Sequence, residues 1–352
     1  MFGLGRTKGV VGLDVGSSAV KAIELKTSGR VRRVGAYAIE PIPVDSIVDG
    51  AIIDAVSVAD AIRRVFERAG IRTREVAASL SGNAVIVKKI SLPIMTEAEL
   101  AESIRWEAEQ YIPFDIQDVN LDHQILDTDA GGKGTMDVLL VAAKKDKIND
   151  YSGVIGQAGR QAAVIDVDVF AIQNAFEANY DLEPGIVTVL MNVGASATNI
   201  NIVSGRSSVF TRDISTGGNA YTEAIQREYN LSFDHAEQVK RGRVAEGVGP
   251  DDVRPVLRAV TESVLLEVQK TFDFYRATAP SDRLDRIMLC GGGAQTEGLS
   301  GGIGERFSLP VEPLNPFRRV VFDSSKFGVD SDEAAATAVV AVGLALRRVG
   351  DR

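Results

Sequence analysis

Asp14 and Lys21 stand on either side of the small-residue run Gly16-Ser17-Ser18, inside the stretch VVGLDVGSSAVKAIEL (residues 10–25). A carboxylate can hold a hydrated cation, and an ammonium can reach phosphate oxygens. The run before Asp14 is apolar and β-branched, as in a buried strand, and a second strand follows through Ala19, Lys21 and Ile23. A hairpin tip without bulky side chains turns its backbone N–H groups outward, and such groups make an anion-binding nest. The chemistry on offer is capture of a phosphate with its counter-cation. An ordinary hairpin tip has the same local pattern.

The pattern occurs twice. Residues 187–204 read VTVLMNVGASATNINIVS, and one constant shift lays Asp14 on Asn192, Gly16 on Gly194, Ser18 on Ser196 and Ala19 on Ala197. A repeat at half the chain length implies two related domains, each with its own hairpin. Two hairpins face to face would clamp a polyphosphate in an interdomain cleft. A third small-residue turn, Gly291-Gly292-Gly293-Ala294, follows an apolar strand and precedes a helix. Glycines there let the backbone approach a flat base or a phosphate. It is not a dinucleotide fingerprint, and no Walker A sequence occurs.

Composition excludes several classes. The 352 residues suit two domains better than one core, and 45% hydrophobic with 25% charged residues describes an ordinary globular chain. A net charge of −9 argues against nucleic acid as a partner, and Arg30, Arg32 and Arg33 read as a solvated hairpin edge. The single Cys290 rules out an internal disulfide framework and suits a reducing compartment. His123 and His235 are the only histidines, without metal-ligand spacing, so a zinc site or histidine triad is not expected. No signal peptide, membrane span or amphipathic C-terminal tail is visible, so direct membrane insertion is not expected.

The elements that must carry these residues follow from periodicity. After the first hairpin come a strand over 31–42, a helix over 51–69 ending at Gly70, a strand over 76–80 and a turn at Ser81-Gly82-Asn83. That order is the kernel of a ribonuclease-H-like domain. A separate unit follows, with a strand over 84–90 and a helix over 96–110 that opens on the capping pair Thr96 and Glu99. Two strands (122–126, 136–143) joined by a turn with Gly131, Gly132 and Gly134, a helix over 146–158 and a strand over 163–167 complete it. Trp106, Tyr111, Ile112 and Phe114 cluster at the end of its first helix, either as core or as a binding surface. A helix over 168–180 returns the chain to a second domain. There the hairpin and a strand over 208–214 precede helices over 219–229, 234–243 and 253–276. The strand at 286–290, a helix over 299–307, a strand near Val311 and an alanine-rich helix over 332–347 end the chain.

These residues resemble the actin-like ATPase superfamily: LDVGSSAVK (13–21) and NVGASAT (192–198) as its two phosphate hairpins, CGGGA (290–294) as its adenosine motif, and two small-residue connecting helices. Within it the chain is similar to the PilM family of type IV pilus assembly proteins, through GLDVGSSAVKAIEL, SLSGNAVIVKKISL (79–92) and IRWEAEQYIPF (104–114). The resemblance covers the whole chain. It implies an α/β, actin-like fold of duplicated ribonuclease-H-like domains with the insert of the branch shared by PilM and FtsA. The first actin-like domain would be 1–82, completed by 164–184 and 331–352, the insert 83–163, and the second domain 185–330 with a helical subdomain at 217–283.

For the site, the resemblance implies ATP and Mg2+, with Asp14 facing the hydrated metal and Lys21 the phosphates. Gly16, Ser17 and Ser18 would line one side, and Asn192, Gly194, Ala195, Ser196 and Thr198 the other. Gly217 and Gly218 would lie beside the ribose and phosphates, Glu237 and Lys240 on the adenosine-contacting helix, and Gly292, Gly293 and Ala294 under the base. In the actin-like ATPases the second hairpin usually begins with an acidic residue where this chain has Asn192, and an amide cannot act as a base. Gln173 or Asp168 would then orient an attacking water, and ATP binding with slow or negligible turnover is expected.

The resemblance also implies a cytoplasmic scaffold, peripheral at the inner membrane. It would hold the N-terminal cytoplasmic peptide of PilN in a groove between first domain and insert, and through PilN meet PilO and the pilus motor. Self-association is compatible with it. Two alternatives belong to other classes: an FtsA-like filament protein of division, which needs a membrane-binding tail, and a small-molecule kinase, which needs a catalytic aspartate that neither hairpin supplies nearby.

Overall fold

A computed structural model describes residues 9–29, 31–128, 134–279, 281 and 283–351. The first half runs β1 (Val11–Val15), β2 (Ala19–Ser28), β3 (Val31–Pro41), β4 (Ile47–Val48), β5 (Ala51–Ile52), α1 (Ala55–Ala69) and β6 (Glu75–Leu80). Next come β7 (Val85–Pro93), α2 (Glu97–Glu109), β8 (Val119–Asp127), β9 (Thr135–Lys144), α3 (Lys145–Gln157), β10 (Gln161–Val167) and α4 (Asp168–Asn179). The second half runs β11 (Val187–Val193), β12 (Thr198–Ser204), β13 (Ser207–Ile214), α5 (Gly218–Tyr229), α6 (Phe233–Lys240) and α7 (Pro250–Thr278). It ends with β14 (Arg286–Cys290), α8 (Leu299–Phe307), β15 (Val311–Pro313), β16 (Val320–Val321), α9 (Ser324–Phe327), α10 (Ser331–Thr337) and α11 (Val339–Ala345).

Alternating side chains decide the layering. In β1, Val11, Leu13 and Val15 enter a core with α1 and α3, while Val10, just before the strand, faces the opposite core with α4 and α11. In β11, Val189, Met191 and Val193 pack toward α5, α7 and α8, whereas Leu190 points back to α4 and α11. The result is two sheets, β10-β6-β1-β2-β3-β16 and β13-β12-β11-β14-β15, with α4 and α11 between them and helices outside each. The middle pair packs backbone to backbone. A Cβ on Gly343 would come within 1.8 Å of the Ala171 carbonyl oxygen, and one on Gly12 within 2.0 Å of that of Ala341. This is the close approach expected of the small-residue connecting helices.

The insert is a three-stranded antiparallel sheet, β7-β9-β8, covered by α2. Thr96 and Glu99 form the expected capping box at the start of α2. One boundary differs from expectation. Helix α3 falls within 83–163, yet its Tyr151, Val154 and Ile155 are buried with α1 against the first sheet. Strand β10 likewise pairs with β6. The body around the three-stranded sheet therefore ends near Lys144, because the apolar face of α3 fits the first core. Two local differences have local causes. Residues 51–52 pair with β4 as a small hairpin, so α1 begins later, behind its Asp54 cap. The last helix breaks at Ala338 into α10 and α11. Of the glycine turn between β8 and β9, only Gly134 lies among the described residues, at φ +69°; Arg30 lies outside them too.

Candidate functional site

Both hairpin tips close by the same bond. The Gly16 N–H donates to the Ala19 carbonyl at 3.2 Å, and the Gly194 N–H to that of Ala197 at 2.9 Å. Among the described residues, nothing accepts from the N–H groups of Ser17, Ser18, Ala195 or Ser196. The two tips meet across the cleft, where the Ser196 hydroxyl donates to the Ser17 hydroxyl at 2.8 Å. Together they border a cavity of about 560 Å³. Its lining includes Asp14, Lys21, Asn192, Gly218, Glu237, Lys240, Gly292, Gly293 and Asp168.

Asp14 and Lys21 are direct cross-strand partners in β1 and β2, which holds both side chains on one face. Lys21 Nζ lies 2.9 Å from Asp14 Oδ2, each side chain only 13% exposed. Burial pulls Lys21 down, but the Asp14 charge outweighs it and the net shift is upward, so the ammonium persists. The donor set is of the kind that would take a phosphate group with its counter-cation. No group of three ligating side chains occurs among the described residues. A cation would therefore be held by Asp14 together with water and ligand oxygens rather than by a protein cage.

The second hairpin is buttressed by backbone. The Gly218 and Asn219 N–H groups at the start of α5 donate to the Gly194 and Ala195 carbonyls, each at 2.8 Å. Gly217 makes this possible, since a Cβ there would stand 2.6 Å from both carbonyl oxygens. Gly291, at φ +94°, and Gly293 press on Val193 from below, and the Gly291 N–H reaches the Ala336 carbonyl at 2.8 Å. On α6, Lys240 pairs with Glu237 at 2.6 Å and also donates to Thr222 and the Gly218 carbonyl. Burial pushes Glu237 upward, but the Lys240 ammonium overcomes it and holds the carboxyl below its usual range.

Not every expected residue faces the cavity. Thr198 is buried and donates to the Thr216 carbonyl at 2.7 Å, bracing the hairpin from behind. Gly217 and Ala294 likewise support the wall; Ala294 packs on the second domain's core. Gln173 is corrected outright. It lies outside the cavity lining, and its amide is committed to Glu177, the Arg206 carbonyl and Asn201. Asp168, at the start of α4, does face the cavity and accepts from the Ser79 hydroxyl at 2.5 Å. Burial, reinforced by the Asp14 carboxylate, pushes it up to about 7.

The lining residues that the sequence does not single out include Asn199, Asp213 and Arg241. Asn199 and Asp213 continue a polar row from Asn192, and Arg241 bridges to Glu333 at 3.6 Å. Asn199 and Asp213 were legible as polar positions in apolar strands, but their shared face needs the register of three strands. Of the aromatic group, Ile112 is buried, Tyr111 and Phe114 are half-buried in the insert's core, and Trp106 is 73% exposed.

Two sheets around paired connecting helices, with facing hairpins in the cleft, define the actin-like ATPase fold. Solved structures of that fold are similar at low identity. Ethanolamine utilization protein EutJ from Carboxydothermus hydrogenoformans matches at 15% identity and TM-score 0.59, covering 96% of this chain and 89% of its own. MreB5 of Spiroplasma citri bound to AMPPNP matches at 15% and 0.51, over 96% and 95%. The family is narrower. The model of the type IV pilus assembly protein PilM family matches residues 12–349. A PilM–PilN type IV pilus biogenesis complex matches at 32% identity and TM-score 0.84, over 98% of this chain and 100% of that one. The chain belongs to the PilM family of type IV pilus assembly proteins. Among the described residues, no helix is long and apolar enough to cross a membrane.

Proposed function

We propose that this chain is an ATP- and Mg2+-binding scaffold of type IV pilus assembly that receives the N-terminal cytoplasmic tail of PilN. The nucleotide half of this reading is carried by two hairpins with one turn geometry facing a single cavity that also holds the Lys21–Asp14 pair. Lys21 and the tip N–H groups would hold the phosphates, Asp14 a hydrated Mg2+, and Gly292 and Gly293 the base. The ion would screen the phosphate charge. Asp168 would orient a water, with its proton affinity too near neutrality for a permanently ionised base. With Asn192 offering an amide, turnover is expected to be slow. Isothermal titration with Mg·ATP tests binding; no heat would remove the nucleotide half. Turnover near the common enzyme value of about 10 per second would remove the claim of slowness.

The partner half is supported by the full-length likeness to the PilM of a PilM–PilN complex. An extended tail would lie between the first domain and the insert, bound through backbone hydrogen bonds and a few apolar anchors. Trp106 is the anchor on offer, since Tyr111 and Phe114 already serve the insert's core. Through PilN the scaffold would reach PilO and the motor and stay at the inner membrane. Removing 83–163 would strip α3 from the first core, so point variants give the cleaner test. A synthetic PilN N-terminal peptide should bind the intact protein, and Trp106→Ala should weaken it at least tenfold. Equal binding would take Trp106 out of the groove.

A further inference from the structure

Asn192, Asn199 and Asp213 are register partners on β11, β12 and β13, so their side chains form one row across the second sheet. The row is hydrogen-bonded throughout. Asn192 Nδ2 donates to Asn199 Oδ1 at 2.9 Å, and Asn199 Nδ2 to Asp213 Oδ1 at 2.8 Å. The row leaves its domain at the far end, where Asp213 Oδ2 accepts the Gly82 N–H of the first domain at 2.5 Å. Gly82, at φ +66°, opens the 3-10 turn Gly82–Ala84, which carries the chain from β6 into β7, the first strand of the insert. One continuous line of polar contacts thus runs from the second phosphate hairpin, across the cleft, to the root of the insert. All four residues border the cavity.

We propose that Asp213 is a cross-cleft positioning residue that couples occupancy of the phosphate hairpins to the setting of the insert. A bond from a backbone N–H to a carboxylate is among the stronger hydrogen bonds. Asn199 is 3% exposed and spends its oxygen on Asn192 and its nitrogen on Asp213, so it cannot turn without breaking both contacts. A ligand that shifts Asn192 or its strand therefore acts on Asp213, and through Gly82 on the only strand connection by which the chain enters β7. Asp14, Asp168 and Asp49 also border the cavity, Asp49 beside Gly82, so a cation brought there with a nucleotide would change the field around Asp213 as well.

The coupling rests on the nucleotide reading, and the experiment separates the two. Full-length protein is followed by hydrogen–deuterium exchange over residues 81–90, with and without Mg·ADP, while calorimetry records binding on the same samples. In the wild type, Mg·ADP is expected to change exchange over 81–90 at least threefold. Asp213→Ala is expected to raise basal exchange there and to abolish the nucleotide response. Asn199→Ala cuts the row but leaves the bond to Gly82, so it should keep basal exchange within about twofold and still lose the response. A purely structural Asp213 would raise basal exchange but leave the nucleotide response in Asn199→Ala, and that result overturns the coupling. Heat without any exchange response in the wild type overturns it too, with the nucleotide reading intact. No heat overturns both. If Asp213→Ala does not fold, Asn199→Ala decides alone.

Discussion

The two glycine-serine hairpins share a turn and differ in everything around it. The first carries charge: Asp14 and Lys21 face each other across the tip. A Cβ on Gly16 would find its nearest atom at 3.2 Å. The second carries amides in the matching place, Asn192 and Asn199, and is pressed from two sides by backbone at Gly217, Gly291 and Gly293. One tip is an electrostatic clamp and the other a packed wall. A duplicated motif has kept its hydrogen-bond geometry while its two copies divided the work.

The largest effect should come from filling the wall. In Gly291→Ala the new Cβ would stand 2.2 Å from the Val193 carbonyl oxygen at φ +94°. Overpacking and a left-handed backbone together should cost roughly 2–5 kcal/mol. Gly16→Ala in the other tip should cost about 1 kcal/mol or less, as its neighbour need give only slightly. Thermal or denaturant melts of both variants check this, and equal costs would erase the distinction.

Charge should show the reverse order. If Lys21 holds a phosphate as proposed, Lys21→Ala should cost a charge-assisted contact worth roughly 1.5–3 kcal/mol, about 10- to 150-fold in Mg·ATP affinity. Asn192→Ala should cost no more than about 1 kcal/mol of that affinity. A calorimetric titration in which the two variants lose the same affinity would break the assignment of charge to the first tip.

Asp168 lies between the tips and titrates. Its carboxyl is raised to about 7, so the folded state holds a proton that the unfolded chain gives up near pH 4. The stability this contributes is present in full below about pH 4 and is lost as pH rises through 7. Relative to the wild type, Asp168→Asn should therefore gain melting temperature steadily between pH 4 and pH 8. A constant difference across that range would mean that Asp168 is ionised throughout.

The smallest effect is expected at the rim. Arg241 and Glu333 meet at 3.6 Å with both side chains more than half exposed. Glu333→Gln should change stability by less than about 1 kcal/mol, and less still in high salt. A larger loss would make the rim a working part of the clamp.

What the chain itself determined is local. The two hairpins, the Gly70 end of α1 and the Thr96–Glu99 box could be read from residues a few places apart, because turns and caps are closed by short-range bonds. The repeat made two domains legible, and small residues over 332–347 announced the tight packing of α11. The tertiary structure decided the rest. Ser17 meets Ser196 from 179 positions away, and Gly82 meets Asp213 from 131. Those meetings depend on how α4 and α11 seat two sheets against each other, which no local pattern records. The same packing turned Gln173 toward Asn201 rather than the cleft, and drew α3 out of the insert into the first core. Periodicity says that a helix has an apolar face. Only the assembled layers offer that face a surface to bury against.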